Sequence, residues 1–232
     1  MAAPPFPFSP DNAAGLHFLY GDDDLLVIDK PAGLLSVPGR GDDKQDCVSA
    51  RAQQMFPDAL VVHRLDMATS GLMLMARHPL AQRRLSLAFE ERRVHKRYVA
   101  VVDGRPVATP EDHGGWALID LPIAVDWPRR PLRVIDHDAG KPSQTRWRIS
   151  ANPSVQDSDQ DSARLDLEPV TGRSHQLRVH LLALGHPILG DALYAPTDVL
   201  ARAPRLLLHA TRLQLMHPTT GEPLRFDSPA PF

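Results

Sequence analysis

Residues 60–76 constrain this chain more than any other stretch. Leu60, Val61 and Val62 form one apolar run, and Leu72-Met73-Leu74-Met75-Ala76 forms a second. Short uninterrupted apolar runs are the pattern of strands buried on both faces. Between them lies His63-Arg64-Leu65-Asp66-Met67-Ala68-Thr69-Ser70-Gly71, which holds a single carboxylate, Asp66. An acid wedged between buried segments is paired or put to use, because an isolated ionised carboxylate is costly to desolvate. Taken alone, an Asp after a strand is most often a turn former or a cap.

The 232 residues suit one large domain or two small ones. Proline is abundant, at 23 residues, about twice the usual ~5%, which predicts a fold rich in turns. The single cysteine, Cys47, excludes a disulfide framework or a cysteine zinc site within one chain. The N-terminus has no basic, then apolar, signal-peptide pattern, and no run reaches the ~18 apolar residues of a membrane span. A cytoplasmic, monomeric protein with no membrane association is expected. The net charge of −2 argues against a general polyanion binder. Its cations are clustered, however: Arg92-Arg93-Val94-His95-Lys96-Arg97, Arg129-Arg130 with Arg133, Arg146 with Arg148, and Arg173 with Arg178. Acids gather at Asp22-Asp23-Asp24 and between Asp157 and Asp161. That separation fits a basic groove with an acidic rim, and equally a set of unrelated solvated faces.

Residues 1–14, rich in Pro and Ala, read as a flexible N-terminus ahead of the folded chain, 15–232. Leu16–Tyr20 and Leu25–Ile28 read as strands, and Asp46 as the N-cap of a helix running to about Met55. Pro79 opens a helix to about Glu91, with Leu80, Leu85, Leu87, Ala88 and Phe89 as its apolar surface. His95 to Val102 is a strand carrying Lys96 and Tyr98. Residues 105–140 read as irregular, and Lys141–Ile149 as a strand. Asp157, Asp159, Asp161 and Glu168 fall on a calcium-loop template. The glycine it requires is replaced by Ser162 and the flanks alternate like strands, so a solvated hairpin loop is the better reading. Ser174 is positioned to cap a helix with a Leu177, Leu181, Leu184 stripe and Gly185 as its stop. His175 and His180 are five apart, not the zinc-binding i, i+4 pair, and read as structural. Strands follow at Leu206–Ala210, at Arg212–Leu215 and around Leu224–Phe226.

The His63-Arg64-Leu65-Asp66 motif, followed by Thr69-Ser70-Gly71 and an apolar strand, resembles the signature of the RluA-type pseudouridine synthases. Three other segments carry the same resemblance: Lys30-Pro31-Ala32-Gly33-Leu34, Lys96-x-Tyr98-x-Ala100, and Gly172-Arg173-Ser174-His175-Gln176-Leu177-Arg178. It extends from about Lys30 to Phe226 and is nearest the short dual-specificity subgroup, which modifies a transfer RNA anticodon arm and large-subunit ribosomal RNA. The resemblance implies an α+β fold, with a mixed, largely antiparallel central sheet flanked by helices and loops and a central RNA-binding cleft. With about 15 residues ahead of it, a single catalytic domain without an S4 domain is expected.

By the same resemblance, Asp66 is the catalytic carboxylate. Arg173 pairs with it and keeps it ionised. Tyr98 stacks near the target base and is a candidate general base, although a phenol of pKa ~10 needs help at neutral pH. Arg64 is implicated in flipping the target uridine out of its stack, Leu177 in packing against the base, and Lys96 in assisting Tyr98 or touching RNA. The implied reaction is isomerisation of uridine to pseudouridine, with no cofactor and no metal. Attack of the carboxylate at C1′ and a glycal route through Tyr98 both remain open. Two other readings compete. A non-catalytic RNA binder on this fold would show degenerate motifs. A glycosidase would need a second acid about 5–9.5 Å from Asp66.

Overall fold

The computed structural model describes residues 15–107, 115–151 and 161–232. The expectations for residues 1–14 and for the template acids Asp157 and Asp159 lie outside the described residues. Two compact units emerge. The first comprises residues 1–95 and 210–229, and the second residues 96–209 and 230–232.

The first unit is built on a sheet in which β1 (His17–Gly21) pairs antiparallel with β2 (Leu25–Lys30) and β2 with β4 (Ser70–Ala76). The short β3 (Leu60–Val61) also pairs with β4, and β12 (Pro223–Asp227) with β11 (Leu208–Met216). β4 lies between β2 and β11, and each of its residues is buried. This is the two-faced burial that its apolar run predicts. Gly71 makes the β4–β11 approach possible. Its φ is +105°, and a Cβ there would stand 2.3 Å from the Ala210 carbonyl oxygen. Helix α1 (Val48–Met55) is capped by Cys47, whose Sγ accepts from Ala50 N, and not by Asp46. The reason is an isolated bridge between Cys47 and Leu35, which fixes Cys47 as extended and buried. Asp46, one residue earlier and exposed, pairs with Arg51 at 2.6 Å instead. Helix α2 (Pro79–Glu90) packs on β3 and β4, with His78 Nδ1 accepting from Ala81 N as its cap. Its buried stripe is Ala81, Leu85 and Ala88, while Leu80 and Leu87 face solvent, contrary to expectation.

In the second unit β5 (His95–Asp103), β10 (Ser162–Pro169), β9 (Gln144–Ile149) and β6 (Ala117–Asp120) lie side by side, antiparallel throughout. A separate hairpin joins β7 (Ile123–Val125) to β8 (Arg133–Ile135). Three short strands thus replace the irregular stretch expected over 105–140. Each spans only three or four residues between prolines, too short to show a period. Glu168 lies on β10, as its period-two alternation predicts, and bonds Arg97 at 2.7 Å. Helix α3 (Gln176–Ala183) packs on β9 and β10, and a short α4 (Thr197–Ala201) follows. Among the described residues no helix is long and apolar enough to cross a membrane.

His180 ties α3 to the sheet. It is fully buried, with Nε2 3.0 Å from the Leu121 carbonyl and Nδ1 2.9 Å from Thr145 Oγ1. A carbonyl can only accept, so Nε2 carries a proton. Burial pushes the His180 pKa below its ordinary value. The unfolded chain then takes up a proton at about pH 6.5 that the folded chain resists. The stabilisation is complete above that pH and is lost as pH falls toward the folded value. The melting temperature should therefore drop more between pH 7.5 and 5.5 for the natural protein than for His180→Asn, which cannot ionise. Equal drops would remove His180 as the cause.

Candidate active site

In the first unit, Arg64 and Asp66 share the loop that joins β3 to β4. Each end of this loop is fastened by a different side chain. His63 Nε2 accepts from Leu74 N at 2.9 Å, replacing a strand partner just where the two-residue β3 runs out, and its ring stacks on Phe89 of α2 at 4.4 Å. The Leu65 peptide is bonded twice by the Ser36 hydroxyl, which accepts from Leu65 N at 3.0 Å and donates to Leu65 O at 2.6 Å. The Met67 carbonyl accepts from Gly33 N at 2.8 Å and from Lys30 Nζ at 3.0 Å. Thr69 N closes the turn by donating to Asp66 O at 3.1 Å. Asp66 itself is half-buried, and Arg64 is exposed.

Lys30 explains why the Lys30–Leu34 segment is needed. It is wholly buried, and its ammonium donates to Pro31 O at 2.8 Å and Leu34 O at 2.7 Å as well as to Met67 O. Three donors meet three carbonyls, so its hydrogen-bonding capacity is filled. The lysine therefore folds the 31–34 turn around itself and fastens that turn to the residue after Asp66.

In the second unit, the period of β5 puts Lys96 and Tyr98 on one face, both half-buried, with Tyr98 opposite Leu167 of β10. The turn carrying Arg173 comes to the same place, for Lys96 Nζ lies 3.9 Å from where a Cβ on Gly172 would stand. Gln176 shapes this turn. Its Oε1 accepts from Arg173 N at 3.0 Å and from Thr171 Oγ1 at 2.7 Å, while its Nε2 donates to Gln144 O and Thr145 Oγ1. Ser174 is therefore not the helix cap. His175, with a left-handed φ of 58°, precedes α3 and makes no side-chain cap bond. The first N–H of α3, from Gln176, donates instead to the Arg173 carbonyl at 3.2 Å. Arg173 is exposed, and its guanidinium lies 3.4–3.5 Å from the Pro142 carbonyl. Leu177, in the first turn of α3, is 7% exposed, and Leu181 is buried, but Leu184 is 36% exposed.

Behind that turn lies a buried ion pair. Arg178 and Asp191 meet through two bonds, 2.8 and 2.6 Å, and are 4% and 1% exposed. Asp191 also accepts from Leu193 N and Tyr194 N. The Tyr194 ring lies under the Arg178 guanidinium at 5.0 Å, and its hydroxyl sits 2.6 Å from His175 Nδ1 and 2.9 Å from Arg133 N. The expected structural roles of His175 and His180 both have defined partners here. Ser36, Asp191 and Tyr194 stand outside the four motif segments, and Gln176 and Arg178 stand within one but without a role read from sequence. Their types are common, and only the fold shows what they bond.

The six residues singled out by sequence thus fall into two sets. Arg64 and Asp66 lie on one loop of the first unit. Lys96, Tyr98, Arg173 and Leu177 gather around β5 and the start of α3 in the second.

Comparison with known proteins gives this arrangement its class. Residues 24–183 match the family model described as RNA pseudouridylate synthase. The chain belongs to that family and is an RNA-modifying isomerase of the RluA type. It is 47% identical over 225 residues to the dual-specificity RNA pseudouridine synthase RluA of Escherichia coli K12, covering 97% of this chain and 98% of that one. The protein of the same name from Yersinia pestis is 47% identical over 214 residues, covering 92% and 98%. Among solved structures, human RNA pseudouridylate synthase domain containing 1 superposes with a TM-score of 0.74 at 29% identity, covering 97% of this chain and 87% of that one. The α+β architecture with its mostly antiparallel sheets is therefore the family fold.

Removing one partner of the Arg178–Asp191 pair tests its role behind the Arg173 turn. Arg178→Met leaves the Asp191 carboxylate buried and unpaired and should cost about 3–5 kcal/mol of unfolding free energy, read from urea denaturation. A loss near the ~1 kcal/mol of an arbitrary substitution would contradict that role.

Proposed function

We propose that this chain converts uridine to pseudouridine in both a transfer RNA anticodon arm and large-subunit ribosomal RNA, in the cytoplasm. The observation that carries the reading is near full-length identity of 47% to relatives named as dual-specificity enzymes, with every motif residue present. The reaction breaks N1–C1′, turns the uracil and joins C5 to C1′. The C5 hydrogen leaves as a proton and N1 regains one, so atoms and electrons balance without an added reactant.

Asp66 is the proposed catalytic carboxylate, held on a loop that is fixed by its neighbours. Tyr98 is the proposed base for the C5 proton, and Lys96, on the same strand face, is proposed to assist it or to touch RNA. Arg173 is proposed to support the negative charge of Asp66. Its full charge and exposed position suit that role better than a lysine's shorter, single-point contact would. A stacked uridine is inaccessible, so it must leave the helix or loop, at a cost of a few kcal/mol. Arg64, exposed and two residues from Asp66, is proposed to occupy the space the base vacates. Leu177 offers the flipped base an apolar wall.

A further RNA contact is proposed at the β7–β8 hairpin. Trp127 at its tip is 65% exposed, and the Arg130 guanidinium stacks 4.1 Å from the ring centroid. Arg129 is paired with Asp126 at 2.6 Å, whereas Arg130 and Arg133 have no carboxylate partner among the described residues. An exposed indole beside spare guanidiniums favours a single-stranded nucleic acid, which offers both π-faces and phosphates.

The decisive assay is tritium release from [5-³H]uridine-labelled transfer and ribosomal RNA transcripts. Forming C5–C1′ expels the label, whereas binding or glycoside hydrolysis retains it. Both RNAs should release tritium, and Asp66→Asn should abolish release while RNA binding persists. Unchanged turnover in that variant would refute the assignment. Trp127→Ala should weaken RNA binding by roughly five- to 150-fold, the equivalent of one stacked base at ~1–3 kcal/mol, with the melting temperature unchanged. Equal affinity in a filter-binding titration would rule out the stacking contact.

A further inference from the structure

The Ser36 hydroxyl makes two bonds to one residue, Leu65, which directly precedes Asp66. A hydroxyl can donate and accept at a single atom, and the side chain of an alanine can do neither. Here the hydroxyl plays the part of a strand partner for an isolated peptide, taking up both its N–H and its C=O. Ser36 is 3% exposed and Leu65 8%, so water has little access to replace these bonds. The serine is anchored in turn. Ser49 N donates to Ser36 O at 3.2 Å, Val48 N donates to Leu35 O at 2.8 Å, and Leu35 bridges Cys47 at the start of α1. The hydroxyl is therefore presented from a base tied to a helix, not from a free loop.

We propose that Ser36 is a positioning residue for Asp66. This inference rests on the reading of Asp66 as the catalytic carboxylate. On the far side of Asp66, Lys30 and Gly33 hold Met67 O. With Leu65 released, the nearest of these holds on the N-terminal side of Asp66 would be His63, three residues away, and the Asp66 peptide would gain freedom to pivot about Met67. A misplacement of about 1 Å can cost ~100-fold in rate. Substrate affinity is unaffected, because Ser36 is buried and presents no surface to RNA.

The test compares Ser36→Ala, which loses both bonds, with Ser36→Thr, which keeps the hydroxyl. Single-turnover tritium release at saturating enzyme, the dissociation constant for the same RNA, and the melting temperature are measured for each. For Ser36→Ala the expected result is a rate about 10- to 100-fold below the natural enzyme with affinity within about threefold. Ser36→Thr should recover most of that rate. The proposal is overturned if Ser36→Ala matches the natural rate, if its loss lies wholly in affinity, or if Ser36→Thr is as slow as Ser36→Ala. Should either variant fail to fold, Ser36→Cys replaces it; the thiol is a weak donor and acceptor, so a rate between the two extremes is expected and a natural rate overturns the proposal. Amide hydrogen exchange gives a readout independent of activity. Leu65 N–H should exchange faster in the variant lacking the hydroxyl while the β4 amides keep their protection, and unchanged exchange at Leu65 would also overturn it. Failure of the catalytic reading is separate, for it would appear as full activity in Asp66→Asn.

Discussion

The first unit depends on how the peptide around Asp66 is held. A loop between two strands has no ladder of its own, and buried backbone groups left unbonded cost free energy. This chain answers with side chains. An imidazole receives Leu74 N, a hydroxyl serves both sides of Leu65, and an ammonium joins the carbonyls of Pro31, Leu34 and Met67. The Asp66 side chain stays half-exposed while its backbone is held from both sides. Rigidity of the loop and accessibility of the acid are obtained together.

The second unit uses the same principle with different groups. Its central helix starts without a conventional cap, and the Gln176 amide shapes the preceding turn from inside. Thr145 extends that network to His180, and His180 to Leu121, so the Arg173 turn is tied to β9 and to the residues after β6. On the other side, the Tyr194 hydroxyl links His175 to the loop end of the β7–β8 hairpin. Fully satisfied polar networks of this kind specify one arrangement more than they add net stability. Arg173, on the turn they shape, is left exposed.

Local sequence foretold the long elements. The apolar run at Leu72–Ala76, Pro79 at a helix start, and alternation through Arg164–Glu168 each match the observed strand or helix closely. Short elements were illegible because three or four residues cannot show a period, as β6, β7 and β8 illustrate. Caps were misassigned for a different reason. Asp46 and Ser174 have the right chemistry, but a bridge to Leu35 gives the first cap to Cys47, and the Arg173 carbonyl takes the first N–H of α3. Leu80 and Leu87 belong to the apolar residues of α2, yet the buried stripe of that helix is Ala81, Leu85 and Ala88.

The sequence by itself determined the chemistry on offer: one carboxylate between two buried strands, a tyrosine and a lysine on one strand face, and an arginine at the start of a helix. Motif spacing carries this because catalysis selects residue types at fixed positions along the chain. Only the tertiary structure decided what holds those groups. Lys30, Ser36, Gln176 and the Arg178–Asp191 pair act on residues up to 37 positions away, or through hydroxyl and amide groups found in any protein. Lys30, Gln176 and Arg178 fall within motif segments, but their local sequence does not show what they do, since their roles come from partners that only folding brings near.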